Sequence, residues 1–218
     1  MPELQTTWGW LVAVYLFLGG LGAGASIVSH LLALIGRDRY RNTVRFGAWF
    51  AAVALGVGSL VLLIDVGKPL RALALFRSFV NPSSWMMRGA WLLLLAMLVN
   101  GASALLWTDR SLALIDKVAP FVKRRLTLWR GLLAGVAIPL NLGVAAYTGI
   151  LLGVLPFRPL WHTPLLPVLF TISALDTGVA LVCGYSALRD AHGHGLRRVL
   201  EACVLALVAT EAVVLFFF

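Results

Sequence analysis

Charge is scarce in this chain. Asp, Glu, Lys and Arg together make up 12% of its 218 residues, and only nine of them are acidic. Cysteine is scarcer still. Cys183 and Cys203 both lie in apolar stretches, which argues against a metal cluster or a disulfide framework held by this chain. With 61% hydrophobic residues and a mean hydropathy of +0.93, the shortage of charge excludes a soluble domain and predicts an integral membrane protein. A secretory signal is not expected either. MPELQTT carries no Lys or Arg, and the apolar run after it is too long for a cleaved signal, so the first segment is expected to stay as a helix. A formal net charge of +9 would suggest nucleic acid for a soluble protein. Here the basic residues gather between apolar runs, where lipid headgroups and the orientation rule account for them, and no nucleic-acid partner is expected.

What is present is a series of long apolar runs bounded by charge. They predict an all-α integral membrane protein with about six transmembrane helices, near 8–35, 46–64, 89–107, 131–153, 164–188 and 199–218, in a single polytopic membrane domain over 1–218. Lys and Arg are distributed unevenly between the two sides. Arg37, Arg39, Arg41, Arg45, Arg110, Lys117, Lys123, Arg124, Arg125, Arg130, Arg189, Arg197 and Arg198 make 13 on one side, against Lys68, Arg71, Arg77, Arg88 and Arg158 on the other. The positive-inside rule then puts both termini outside and the 13-residue side in the cytoplasm, as in a multi-pass protein of the inner (cytoplasmic) membrane. On the outer side, residues 65–88 hold an expected short helix at 69–79 and the turn-forming run NPSS. On the inner side, DRSLALIDKVAPFVKRR reads as a basic amphipathic helix lying on the lipid surface.

The run LFLGGLGAGAS at 16–26 invites comparison with a phosphate-binding glycine turn, but the strand, following helix and ribose-binding acid that such a turn needs are missing. Inside a membrane helix, Gly20 and Gly24 form a GxxxG pair that lets another helix, or a flat ring, approach the backbone closely. Polar groups in the same setting need a partner or a purpose. Tyr15, Asp65, Lys68 and Tyr147 all fall in the outer half, with Trp8, Trp10, Trp85, Trp91 and Trp161 at the same boundary and Asn81, Ser84 and His162 on the adjoining loops. Each has a plainer alternative: an aromatic belt for the tryptophans, simple packing for Tyr147, and a structural ion pair for Asp65 with Lys68. Deeper lie Asp176 and Glu211, with His30, Asn100 and Asn141 also available. Intramembrane acids suggest a proton path, or else neutral carboxyls that join helices.

These motifs occur in an order that resembles one family. YLFLGGLGAGA, DVGKPLRA, NPSSWMMRGAW, AYTGILLG and RPLWHTPLLPVLFTISAL, covering about residues 8 to 190, are similar to the NrfD/polysulfide reductase membrane-subunit family. The resemblance implies a quinone-interacting membrane anchor whose first four helices form an NrfD-like four-helix bundle. Helices of a second bundle would be incomplete here, because family members generally have eight or more spans. It implies menaquinone or ubiquinone as the bound substrate, with no haem or metal in this chain. Its expected partners are a ferredoxin-like iron–sulfur subunit, a molybdopterin-type catalytic subunit and membrane lipid.

The resemblance gives Tyr147, in AYTGILLG, the role of hydrogen-bonding a quinone carbonyl near the outer face. It places Tyr15 and Val12 where the polysulfide reductase branch has a His and, three residues earlier, an Asn. Asp65, Lys68, Trp161 and His162 complete the expected headgroup surroundings, with Asp65, Asp176 and Glu211 as candidates for proton transfer. The main alternative is a proton- or ion-coupled transporter, for which membrane acids and glycine-rich helices are also expected. A haem b anchor would need facing histidine pairs, and only His30 lies clearly inside a span.

Overall fold

A computed structural model of the chain describes residues 10–65, 85–153, 163–189 and 193–218. Its secondary-structure elements are all helical. They are α1 (Trp10–Gly36), a 3₁₀ turn (Arg37–Tyr40), α2 (Arg41–Asp65), α3 (Trp85–Leu106), α4 (Asp109–Val118), α5 (Pro120–Arg124), α6 (Leu126–Gly153), α7 (Leu165–Arg189) and α8 (Gly193–Phe217). Six of these helices are long and apolar enough to cross a membrane.

Most of the helices outrun the apolar segments that announce them. α2 begins at Arg41 rather than near 46, and α6 at Leu126 rather than near 131. The reason is that hydropathy ends where charge begins, whereas a helix continues through the headgroup zone as long as its backbone bonds are made internally. The amphipathic stretch after α3 is helical but broken. Ala119 leaves the helical region (φ −142°, ψ 69°) because the ring of Pro120 crowds the residue before it, and α4 and α5 meet at that joint. Neither short helix has a buried residue, and Leu114, Val118 and Phe121 stay exposed, as expected of an element lying on lipid. The expected helix at 69–79 lies outside the described residues.

Helices α1, α2, α3 and α6 pack in a closed ring, each touching the next, while α7 leans on α1 and α6 from outside and α8 rests on α7. Small residues permit the closest approaches. A Cβ at Gly24 would lie 1.8 Å from Ala174 O, and one at Gly178 would lie 2.2 Å from the carbonyl carbon of Gly24, so α1 and α7 cross backbone to backbone. Gly20, one turn earlier, faces Ala174 at an ordinary 3.5 Å. The slot between these glycines is therefore filled by α7. Gly22 meets Ala54 of α2, and the side chain of Ser29 rests where Gly47 of α2 has none. Without a hydrophobic drive between helices in lipid, this close van der Waals packing is the principal adhesive. Burial falls from the centre of the bundle to its edge: 56% of the most apolar window of α1 is enclosed, but only 6% of that of α8.

Candidate functional site

Two tyrosines enter the closed ring from the adjacent helices α1 and α6 near the end remote from the basic loops. Tyr15 stands in the second turn of α1 and is 1% exposed; Tyr147 stands in the penultimate turns of α6 and is 7% exposed. The ring of Tyr15 lies beside Gly58 of α2 and shares an apolar cluster with Leu55, Leu93, Val144 and Ala174. The ring of Tyr147 lies on Gly89 of α3, so close that a Cβ there would fall 2.1 Å from its hydroxyl oxygen. Neither hydroxyl has a hydrogen-bond partner among the described residues, whereas the neighbouring Thr148 bonds back to Ala145 O at 2.6 Å. Val12, one turn before Tyr15, is buried and offers no polar atom.

Of the other residues singled out by sequence, Asp65 closes α2 at the same end of the bundle as the tyrosines. Lys68, Trp161 and His162, together with Trp8, Asn81 and Ser84, lie outside the described residues. Trp10 and Trp91 are exposed along the flank, where interfacial tryptophans stand. Asp176 falls between Ala174 and Gly178, the two residues that face α1, so its side chain leaves α7 on the opposite face. One of its carboxyl oxygens is enclosed with no hydrogen-bond partner among the described residues. Glu211 is half-buried on α8. Both acids therefore lie on the helices outside the ring, apart from the phenols.

A second polar assembly occupies the middle and the basic half of the bundle; sequence singled out His30, Asn100 and Asn141, but neither Ser26 and Ser103 nor the arrangement. Ser26 and His30 of α1, Asn100 and Ser103 of α3, and Asn141 of α6 are all fully buried or nearly so. They form one chain of hydrogen bonds. Ser103 Oγ meets His30 Nε2 at 2.8 Å, and His30 Nδ1 meets Ser26 O at 2.8 Å and Ser26 Oγ at 3.1 Å. Ser26 Oγ donates to Asn100 Oδ1 at 2.6 Å, Asn100 Nδ2 donates to Asn141 Oδ1 at 3.1 Å, and Asn141 Nδ2 donates to Ala137 O at 2.8 Å. With Nδ1 carrying the proton of a neutral His30, every donor points the same way and every member is satisfied. The network ends on a backbone carbonyl, and its two amides do not relay protons as hydroxyls and imidazoles do. It joins three helices across 115 residues of sequence. Both nitrogens of His30 are occupied in doing so, and no group of three or more His, Cys, Asp or Glu that could hold a metal occurs among the described residues.

At the basic end, Arg130 of α6 lies over the ring of Trp107, 4.0 Å from its centroid, and donates from Nε and Nη2 to Leu106 O at 3.1 and 2.9 Å. Its Nη1 pairs with Asp38 at 2.9 Å, and Arg41 pairs with Asp109 nearby. Asp38, Trp107, Thr127 and Arg130 contribute to the wall of a cavity of about 210 Å³ at this level. None of the predicted site residues lines it.

Comparison with known proteins agrees with this architecture. The family described as "Polysulphide reductase, NrfD" matches residues 2–218. The C component of polysulfide reductase from Wolinella succinogenes is 32% identical over 79% of this chain and 56% of its own length. The C component of selenate reductase from Mesobacillus selenatarsenatis is 26% identical over 81% of this chain and 47% of its own. An Hdr-like menaquinol oxidoreductase integral membrane subunit of Archaeoglobus fulgidus is 25% identical over 82% and 41%. The chain spans about half the length of these curated relatives. This all-helical, multi-pass membrane protein belongs to the NrfD polysulphide reductase family.

Proposed function

We propose that the chain is a quinone-interacting membrane anchor of an oxidoreductase complex, exchanging electrons between a membrane quinol and an iron–sulfur partner subunit, with a molybdopterin-type catalytic subunit beyond it. The observation that carries this reading is the pair of buried phenols, Tyr15 and Tyr147, entering one level of the bundle from adjacent helices with their hydroxyls unbonded among the described residues. A donor that the protein itself leaves without a partner is open to an acceptor brought by a ligand. A flat ring carrying two carbonyl or hydroxyl oxygens can offer an acceptor to either phenol. The names of the relatives, among them a menaquinol oxidoreductase membrane subunit, point to the same chemistry.

In this reading Tyr147 donates to one quinone oxygen and Tyr15 approaches from α1, while buried Val12 contributes shape alone. Oxidation of the quinol to the quinone releases two electrons and two protons. The electrons pass one at a time to the partner's iron–sulfur cluster, and the protons leave through Tyr147, Asp65 or adjoining water. The protein supplies orientation and proton handling, with redox chemistry left to quinone and cluster. The uneven loop charge supports a site near the outer face of the cytoplasmic membrane. Asp176 and Glu211 lie on the two helices outside the ring, so a proton path through them runs beside the site rather than through it.

The test is quinol oxidation in membranes containing the assembled complex. Tyr147→Phe is expected to lower quinol affinity about tenfold, the worth of one hydrogen bond, with unchanged assembly; full activity removes Tyr147 from the site. Gently purified protein is expected to carry iron in multiples of about four, without haem absorption bands, through its partner. Ion flux by the isolated chain in liposomes, with no redox partner present, would replace this reading with a transporter.

A further inference from the structure

The seam between α3 and α6 is fixed at three levels. Near the basic half, Asn100 donates to Asn141. Higher up, the side chain of Leu92 fills the place left by Gly143, where a Cβ would lie 3.2 Å from it. Higher still the relation reverses, and the ring of Tyr147 from α6 fills the place left by Gly89 on α3. A Cβ at Gly89 would lie 1.8 Å from Tyr147 Cζ and 2.1 Å from both Cε1 and the hydroxyl oxygen. Gly101, on the same helix, has no such neighbour within 4 Å.

We propose that Gly89 is a positioning residue for Tyr147: its missing side chain is the notch that seats the phenol where it can reach a quinone oxygen. The proposal rests on the quinone reading of Tyr147. The contact involves the far end of a side chain, so an added methyl need not separate the helices; the ring can swing away instead. To restore ordinary carbon–carbon separation, the tip of the ring must move by about 1.7 Å, from 1.8 Å to roughly 3.5 Å. Hydrogen bonds between oxygens span only about 2.5–3.0 Å, so a hydroxyl displaced that far no longer meets the same acceptor. Gly89→Ala should therefore spare the fold and misplace the donor.

The experiment uses the full chain in lipid nanodiscs, a short-chain menaquinol analogue as the binding probe, and fluorotyrosine labelling. The chain has four tyrosines, so its fluorine spectrum is simple, and loss of one line in Tyr147→Phe assigns that residue. Gly89→Ala is expected to move the Tyr147 line and weaken probe binding about tenfold, with little change in thermal unfolding, while Gly101→Ala changes neither. In a Tyr147→Phe background, where no hydroxyl remains to be misplaced, Gly89→Ala is expected to add nothing further. An unmoved Tyr147 line, or an equal loss of affinity in the Tyr147→Phe background, overturns the positioning role. A moved line with full probe affinity in both single variants overturns the quinone reading of Tyr147 instead. Should Gly89→Ala fail to fold, removing the ring it meets in Gly89→Ala/Tyr147→Ala must restore folding; if it does not, the notch is not what Gly89 provides.

Discussion

Helices α1 and α6 carry polar side chains at two levels, and the two levels are built on opposite principles. Around Ser26, His30, Asn100, Ser103 and Asn141, each side chain has its partner and the donors run in one direction. Around Tyr15 and Tyr147, the rings are packed but their hydroxyls are bonded to nothing among the described residues. A buried network that satisfies itself fixes how helices align and leaves nothing over for a ligand. Donors that the protein leaves unbonded hold binding capacity in reserve. Polarity inside a membrane helix is thus informative only once its partners are known.

The sharpest break in this contrast should come from Gly24, which lies on α1 between the two levels. Gly24→Val places a branched side chain against the backbone of Ala174 and Gly178 and should cost about 3 kcal/mol, disturbing both levels together; loss of folded protein in a denaturant titration in mild detergent measures it. Asn100→Leu should divide the levels. It strands the Ser26 hydroxyl and the Asn141 carbonyl, costing about 1–2 kcal/mol of stability, with a smaller effect on quinol affinity than on unfolding. Tyr147→Phe should do the reverse, leaving unfolding within about 0.5 kcal/mol of the original while quinol binding falls. Smallest of all should be Arg197→Gln. This exposed side chain pairs with Glu201 one turn away at 2.7 Å, and its loss should change stability by about 0.3 kcal/mol and quinol affinity not at all.

The sequence makes the spans visible because about twenty apolar residues bounded by charge have few other fates. It also shows the Gly20–Gly24 face, although not that α7 would cover it, since Ala174 and Gly178 are about 150 residues further on. His30, Asn100 and Asn141 are recognisable there as polar groups needing an explanation. The explanation itself is not local, because it consists of contacts between residues 41 to 74 apart. Ser26 and Ser103 carry no signal of their own, as serines are common in membrane helices and can bond to their own backbone. The one local clue is the spacing of four between Ser26 and His30, which puts them on one face. Gly89 is the least legible. A glycine in MRGAW carries no mark of what fills its space, and Tyr147 is 58 positions away.

Arg130 has a consequence of a different kind. Its guanidinium closes the carbonyl end of α3 while its face lies on Trp107. A charge held that rigidly cannot follow the bilayer by bending outward, as a free lysine does. It must stay at the headgroups, and the hydrocarbon must begin above it. The whole helical assembly is thereby set at one height, and a thicker or thinner membrane has to deform to meet it. Arg130 acts as a depth gauge for the bundle.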